Sequence, residues 1–166
     1  MTEHPVEIIR SPLRRKTVQA TVVNGTIQVR VPAGLGASEE RKAVDDIVRR
    51  VRRKISAGPI DLTARAARLA RRYDLPDPVT VTWSDRQNLR WGSCTPANAA
   101  IRISTRLASV PPFVLDYVLV HELAHLVVSG HGPEFDRIVD RYEKAERARG
   151  FLLALNQQDI SSADQE

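Results

Sequence analysis

Residues 17–31 alternate apolar and polar positions about Asn24-Gly25, with Val18, Ala20 and Val22 before the pair and Ile27, Val29 and Val31 after it. A period of two marks strands with one buried face, and Asn-Gly suits a two-residue hairpin turn. The pattern predicts a hairpin that sets Val22, Ala20 and Val18 opposite Ile27, Val29 and Val31, with Thr17, Gln19, Thr21, Gln28 and Arg30 on a mostly polar face. Beyond a Gly- and Ala-rich link the period becomes helical. Val44, Ile47, Val48, Val51 and Ile55 share one face and Arg49, Arg50, Arg52 and Arg53 the other, with Ser38 as N-cap candidate and Gly58-Pro59 as the stop. A second helix, capped by Asp61 and stopped by Pro76 and Pro78, turns Leu62, Ala66, Leu69, Ala70 and Tyr73 inward. Residues 79–83 and 99–104 read as strands and residues 84–98 mostly as loop.

The next segment is apolar on all sides. It predicts a buried helix from just after Ser109, an N-cap candidate, to about Val128, with Pro111 and Pro112 tolerated in its first turn. Val114, Val118, His121, His125 and Val128 share one face; Leu115, Leu119, Leu123, Leu126 and Val127 cover the other. Gly130 to Pro133 is a break, and Pro133 opens a final helix to about Arg149. These elements predict an α+β chain organised as an N-terminal hairpin-and-helix extension (1–60), a main domain (61–155) and a frayed polar tail (156–166).

The buried helix carries the chemistry. Residues 121–125 read His-Glu-Leu-Ala-His, an HExxH motif, and His131 follows six positions after His125. Residues four apart lie one turn above each other, so His121 and His125 aim at one ion, and Glu122, about 100° round, sits beside it as a general base should. Imidazoles in an apolar wall are costly unless something satisfies them, and a divalent cation does so. A lone histidine such as His4 is read as bonding a backbone carbonyl. The spacing from His125 to His131 matches metzincins, but Val128 stands where their chain-turning glycine belongs, and the one methionine, Met1, cannot form their methionine turn. Acidic alternatives to His131 as third ligand are Glu143 and Glu146, whose alternation with Lys144, Arg147 and Arg149 suggests an exposed face.

Composition narrows the context. The chain has 166 residues, 42% of them hydrophobic and 27% charged, which suits one domain with a sizeable core. No apolar run is long enough to span a membrane and no secretory signal pattern opens the chain; Cys94 is the only cysteine, so a reducing cytoplasm is expected and a cysteine-based zinc ribbon is excluded. Residues 1–110 carry 20 Lys and Arg against 10 Asp and Glu, and residues 111–166 carry 5 against 10. A basic front half can attract nucleic acid, but no aromatic residues interleave with the charges as a stacking platform needs, so the arginines are read as solvated helix faces.

Five segments together resemble a known family: Arg90-Trp91-Gly92-Ser93-Cys94, Ile101-Arg102-Ile103-Ser104, the helix from Pro112 to His125, His131, and Glu134-Phe135. The chain resembles the YgjP-like metallopeptidase-domain proteins, predicted zinc-dependent hydrolases related to the SprT and WLM groups. His131-Gly132-Pro133-Glu134-Phe135 is also similar to the third-ligand segment of SprT-type proteases. The resemblance is strongest over residues 79–151. It implies a zincin-like fold, a small antiparallel sheet packed on the HExxH helix, with His121, His125 and His131 holding Zn²⁺ and Glu122 as base. Asp136 stands where an aromatic residue is expected beside Phe135.

Three neutral imidazoles leave zinc an open position for water, whose pKa can fall to about 7. The expected function is hydrolysis of peptide bonds, with a peptide or protein as partner. An edge strand beside the metal helix can pair with an extended peptide, and residues 99–104 are the candidate, with Arg90, Trp91, Ile101, Arg102 and Ile103 as substrate-binding residues. Tyr117, Arg90 and Arg102 are candidates to stabilise the oxyanion, and Trp91 and Cys94 are expected to pack behind the strand. The alternatives are a metal-dependent hydrolase of nucleotides or phosphate esters, a nucleic-acid-associated protease of SprT type, and a nucleic-acid-binding module with structural zinc. Against them stand the lack of a phosphate-cradling loop or nucleic-acid motif, and a glutamate that a structural site does not need.

Overall fold

The computed structural model describes residues 4–163. The architecture is α+β: among the described residues there are two three-stranded sheets and five α-helices, divided between two units, residues 1–56 and 57–166.

In the first unit, strands β1 (Val6–Ser11), β2 (Gln19–Val23) and β3 (Thr26–Pro32) precede helix α1 (Ala37–Ala57). The expected hairpin forms in the expected register, Ala20 opposite Val29 and Val22 opposite Ile27. Asn24 and Gly25 make the turn with φ of 50° and 80°, the left-handed region that this pair tolerates. The sheet extends beyond the hairpin, because β1 pairs in parallel with β3, Ile8 opposite Val29. That strand is missing from the sequence reading since its partner lies some twenty residues away and no short turn announces the pairing. Ile27, Val29 and Val31 on central β3 are fully buried beneath Val44 and Val48 of α1, with Ile47, Val51 and Ile55 packed beside them. His4 does bond a carbonyl: its Nδ1 lies 2.8 Å from the oxygen of Gly25.

The second unit contains α2 (Leu62–Tyr73), β4 (Thr80–Ser84), β5 (Gly92–Thr95), β6 (Ala100–Ser104), α3 (Pro112–Ala124), α4 (Pro133–Val139) and α5 (Ala145–Ala163). Asp61 caps α2 by accepting the Ala64 N–H at 2.9 Å, and the five residues expected inward are the buried ones. The sheet is mixed rather than antiparallel: β6 is central, parallel to β4 and antiparallel to β5. Helix α3 runs through the core, buried on nearly every side, and packs against α2, α4, α5, β5 and β6.

Four boundaries differ from those expected. Helix α1 begins at Ala37, so Ser38 stands inside its first turn and not at the N-cap; the Glu40 N–H already bonds the Gly36 carbonyl at 2.8 Å. Ser109 ends a 3-10 helix (Thr105–Ser109), and Pro111 takes the N-cap position of α3 with extended ψ, as a residue before a proline prefers. At the other end α3 stops at Ala124, not near Val128, because tight turns from Leu126, Val127 and Val128 cap its last carbonyls at 2.9–3.0 Å. The expected final helix is broken between Val139 and Ala145, where buried Tyr142 turns inward and its hydroxyl donates to the Phe113 carbonyl at 2.9 Å. Helix α5 then continues to Ala163, so the segment expected to be a frayed tail is helical as far as that residue; residues 164–166 lie outside the described residues. No helix among the described residues is long and apolar enough to cross a membrane.

Candidate metal centre

His121 and Glu122 sit in the last turn of α3, and His125 is the residue that caps it. His131 reaches the same place because the chain reverses at Gly130, whose φ of 87° only glycine adopts readily. The turning glycine absent at position 128 is thus present two residues later. One ligand atom from each of His121, His125 and His131 lies within 4.8 Å of the others. The Nε2 atoms of His121 and His131 are 3.2 Å apart. Tetrahedral nitrogen ligands about 2.0–2.1 Å from a zinc ion stand about 3.3 Å from one another, so this pair has the spacing of two corners of such a shell. His125 Nδ1 lies 3.3 Å from the Val128 carbonyl, which only accepts; that nitrogen carries the hydrogen and Nε2 keeps the free lone pair.

Phe135, 2% exposed, forms the floor of the cluster. Its ring stacks on His125 at 4.5 Å and meets His121 and His131 edge-on at 4.8 Å each, so α4 serves to press one aromatic face against all three imidazoles. Asp136, next to it, is exposed and leaves that packing intact.

Burial sets the charge state of the site. It pushes His121 down to about 4, helped by the charges of His125, His131 and Arg149, and it also lowers His125. Imidazoles held neutral are ready to ligate. Glu122, 5% exposed, is pushed up to about 7 by burial, and the positive charge of Arg90 opposes the shift. A cation among the rings favours its ionised form. The carboxyl packs directly against β5: a Cβ added to Gly92 would lie 2.5 Å from Glu122 Oε1 and 2.8 Å from its Cγ. All four residues open on one cavity of about 860 Å³, whose walls include Arg90 to Cys94, Tyr117, Arg149, Leu152 and Leu153. The three imidazoles therefore fit a divalent transition-metal ion, with an unligated carboxyl beside it.

Residues 20–150 match the family described as YgjP-like, metallopeptidase domain. The chain belongs to the YgjP-like metallopeptidase family. No curated protein matches it. Among solved structures, the metallopeptidase zymogen jannalysin of Methanocaldococcus jannaschii is similar over 60% of this chain and 97% of its own, at 16% identity and a TM-score of 0.49.

Within this YgjP-like domain the site residues expected from sequence separate into two groups. His121, Glu122, His125, His131, Arg90, Trp91, Cys94 and Tyr117 line the shared cavity. Ile101, Arg102 and Ile103 do not. Their strand, β6, is paired on both edges and so has no backbone groups for a peptide; Ile101 and Ile103 are fully buried, and exposed Arg102 lies outside the cavity wall. Both outer strands of this sheet, β4 and β5, have an unpaired edge, and of the two it is β5 that lines the cavity. Its short run of Gly, Ser, Cys and Thr carries almost no strand signal, which is why the segment reads as loop. Trp91 and Cys94 pack on the core as expected, and burial raises the Cys94 thiol to about 11, which keeps it protonated at neutral pH. Glu143 and Glu146 pair instead with Arg72 and Arg149 and stand outside the histidine cluster.

Sequence reasoning also passed over Gly92 and Arg149. A glycine inside a short strand signals close backbone approach, and this was the available clue to the first. Arg149 had none: it reaches the wall from α5, donating from Nε to the Tyr117 hydroxyl at 3.1 Å and pairing with Asp140 at 2.6 Å and with Glu146.

Proposed function

We propose that this chain is a zinc-dependent peptidase of zincin-like fold, in which His121, His125 and His131 hold the metal and Glu122 is the general base. The supporting observation is that the three imidazoles and a buried, unligated carboxyl face one cavity beside the free edge of β5. Zinc bound there supplies a Lewis acid that polarises a carbonyl and makes water acidic near neutral pH. Glu122 takes the proton of the attacking water and passes it to the leaving amine. The backbone of β5 pairs with an extended substrate and lays it across the cavity. Tyr117, whose hydroxyl oxygen accepts from Arg149, keeps its own hydrogen to donate to the carbonyl oxygen as negative charge develops. A cytoplasmic location belongs to the same reading and rests on the single cysteine, which can form no disulfide within the chain.

Metal content and hydrolysis of a broad peptide library, measured for the wild type and for Glu122→Gln, test this reading. The expected outcome is about one zinc per chain in both proteins, with kcat in the variant lower by on the order of 10²–10⁴-fold. Equal activity would remove Glu122 from its role, and a wild type without zinc would remove the site. Turnover of phosphate esters or nucleotides with none of peptides would transfer the same residues to a different hydrolase.

A further inference from the structure

The cavity holds two arginines in different states. Arg149 is spent: Tyr117, Asp140 and Glu146 occupy its guanidinium. Arg90 is exposed and lines the same cavity, yet among the described residues no hydrogen bond or ion pair engages its side chain. Among the described residues Glu122 is the only carboxylate in the wall, and it is buried against Gly92.

The loop that presents Arg90 is held on both sides. Ser104 Oγ donates to the Gln87 carbonyl at 2.9 Å, and Ser104 N–H donates to the Trp91 carbonyl at 2.9 Å. Arg106 donates to the Asn88 carbonyl at 2.7 Å and lays its guanidinium over the Trp91 ring at 3.8 Å from the centroid. An unpaired cation on an anchored backbone is a recognition element whose backbone ordering cost has been met within the fold. Arg90 lies two residues before Gly92, which abuts Glu122, so its guanidinium and that carboxyl belong to the same cavity wall.

Resting on the peptidase reading above, we propose that Arg90 forms a carboxylate-binding subsite in this cavity, selecting substrates that carry a carboxylate near the scissile bond. Guanidinium and carboxylate match as a planar, two-point pair, and among the described residues no carboxylate is paired with Arg90. The carboxylate comes from an aspartate or glutamate side chain or from the free C-terminus of a short peptide; both present the same group.

The experiment uses matched peptides, Asp against Asn at each position with both ends blocked, and free-acid against amidated C-termini. Each pair is assayed on zinc-loaded wild type, Arg90→Gln and Arg90→Lys, and the same pairs are titrated onto zinc-loaded Glu122→Gln with and without Arg90→Gln. The wild type is expected to favour the carboxylate member by about tenfold in kcat/KM, through KM. Arg90→Gln should bring that ratio close to one, and Arg90→Lys should keep part of it. Whichever series carries the preference identifies the source of the carboxylate. A wild-type ratio near one, or a ratio that survives Arg90→Gln while all peptides slow equally, overturns the subsite; the latter places the guanidinium on the reacting carbonyl. If peptides bind with an Arg90-dependent preference but are not cut by the wild type, the subsite stands and the peptidase reading fails. If they are cut without preference, the reverse holds.

Discussion

Gly92 governs how close β5 comes to the carboxyl of Glu122. Any side chain there would put its first carbon within 2.5–2.9 Å of three atoms of the glutamate, closer than real contacts allow, so the carboxyl would have to swing away. Gly92→Ala is therefore expected to lower kcat/KM by about ten- to a hundredfold, since displacing a catalytic group by about an ångström costs that much. Bound zinc, measured in the same preparation, should be unchanged because no ligand moves; loss of metal instead would mean that the glycine supports the histidines. Gly130 acts at the same scale, its φ of 87° turning His131 back toward α3. Of these single-residue features, the sequence makes the candidate ligands and the proposed base legible through the i, i+1, i+4 spacing of His121, Glu122 and His125. The close approach at Gly92 was not legible, because the strand carrying it has only four small or polar residues and its contact is with a helix some thirty positions away.

Among the elements, α3 is the one on which the site depends. Val114, Leu119, Val120, Leu123 and Ala124 are fully buried, so the helix that carries His121 and Glu122 is clamped from several directions by α2, α5, β5 and β6. Truncating Leu119, which does not line the cavity, should cost about 2–5 kcal/mol of stability by urea unfolding. A cost below about 1 kcal/mol would mean that the core around α3 closes over the gap. All-round apolarity made this helix and its burial legible from sequence, and helical spacing did the same for α1 and α2. The C-terminal half of the unit was less legible. Residues 133–149 have helical character throughout, and the break before Ala145 exists because Tyr142 finds a partner in the Phe113 carbonyl, at the start of a different helix. The role of β6 was misread for a related reason: a strand's own pattern tells that it is buried, but whether it is central or at the edge depends on which segment pairs with it.

At the scale of the whole molecule the described residues form two hydrophobic cores, one of Ile27, Val29, Val31, Val44 and Val48, the other around α3. All three zinc-ligand candidates belong to the second unit. A ligand stabilises only what must be folded to bind it, so calorimetry is expected to show two thermal transitions, of which zinc raises and chelation lowers just one. Leu119→Ala should shift that same transition and Val48→Ala the other. A single transition moved alike by zinc and by both substitutions would show the cores to be one cooperative unit. The sequence by itself determined the local features: the hairpin register, the N-cap and inward faces of α2, the buried helix, and the HExxH spacing that brings His121, Glu122 and His125 together, because each is written in residues a few positions apart. Tertiary structure alone decided the parallel pairing of β1 with β3, the central place of β6 and free edge of β5, the packing of Phe135 beneath three imidazoles, and the contrast between engaged Arg149 and free Arg90. These are contacts between segments far apart in the chain, set by which surfaces fit when the core closes, and no local pattern records them.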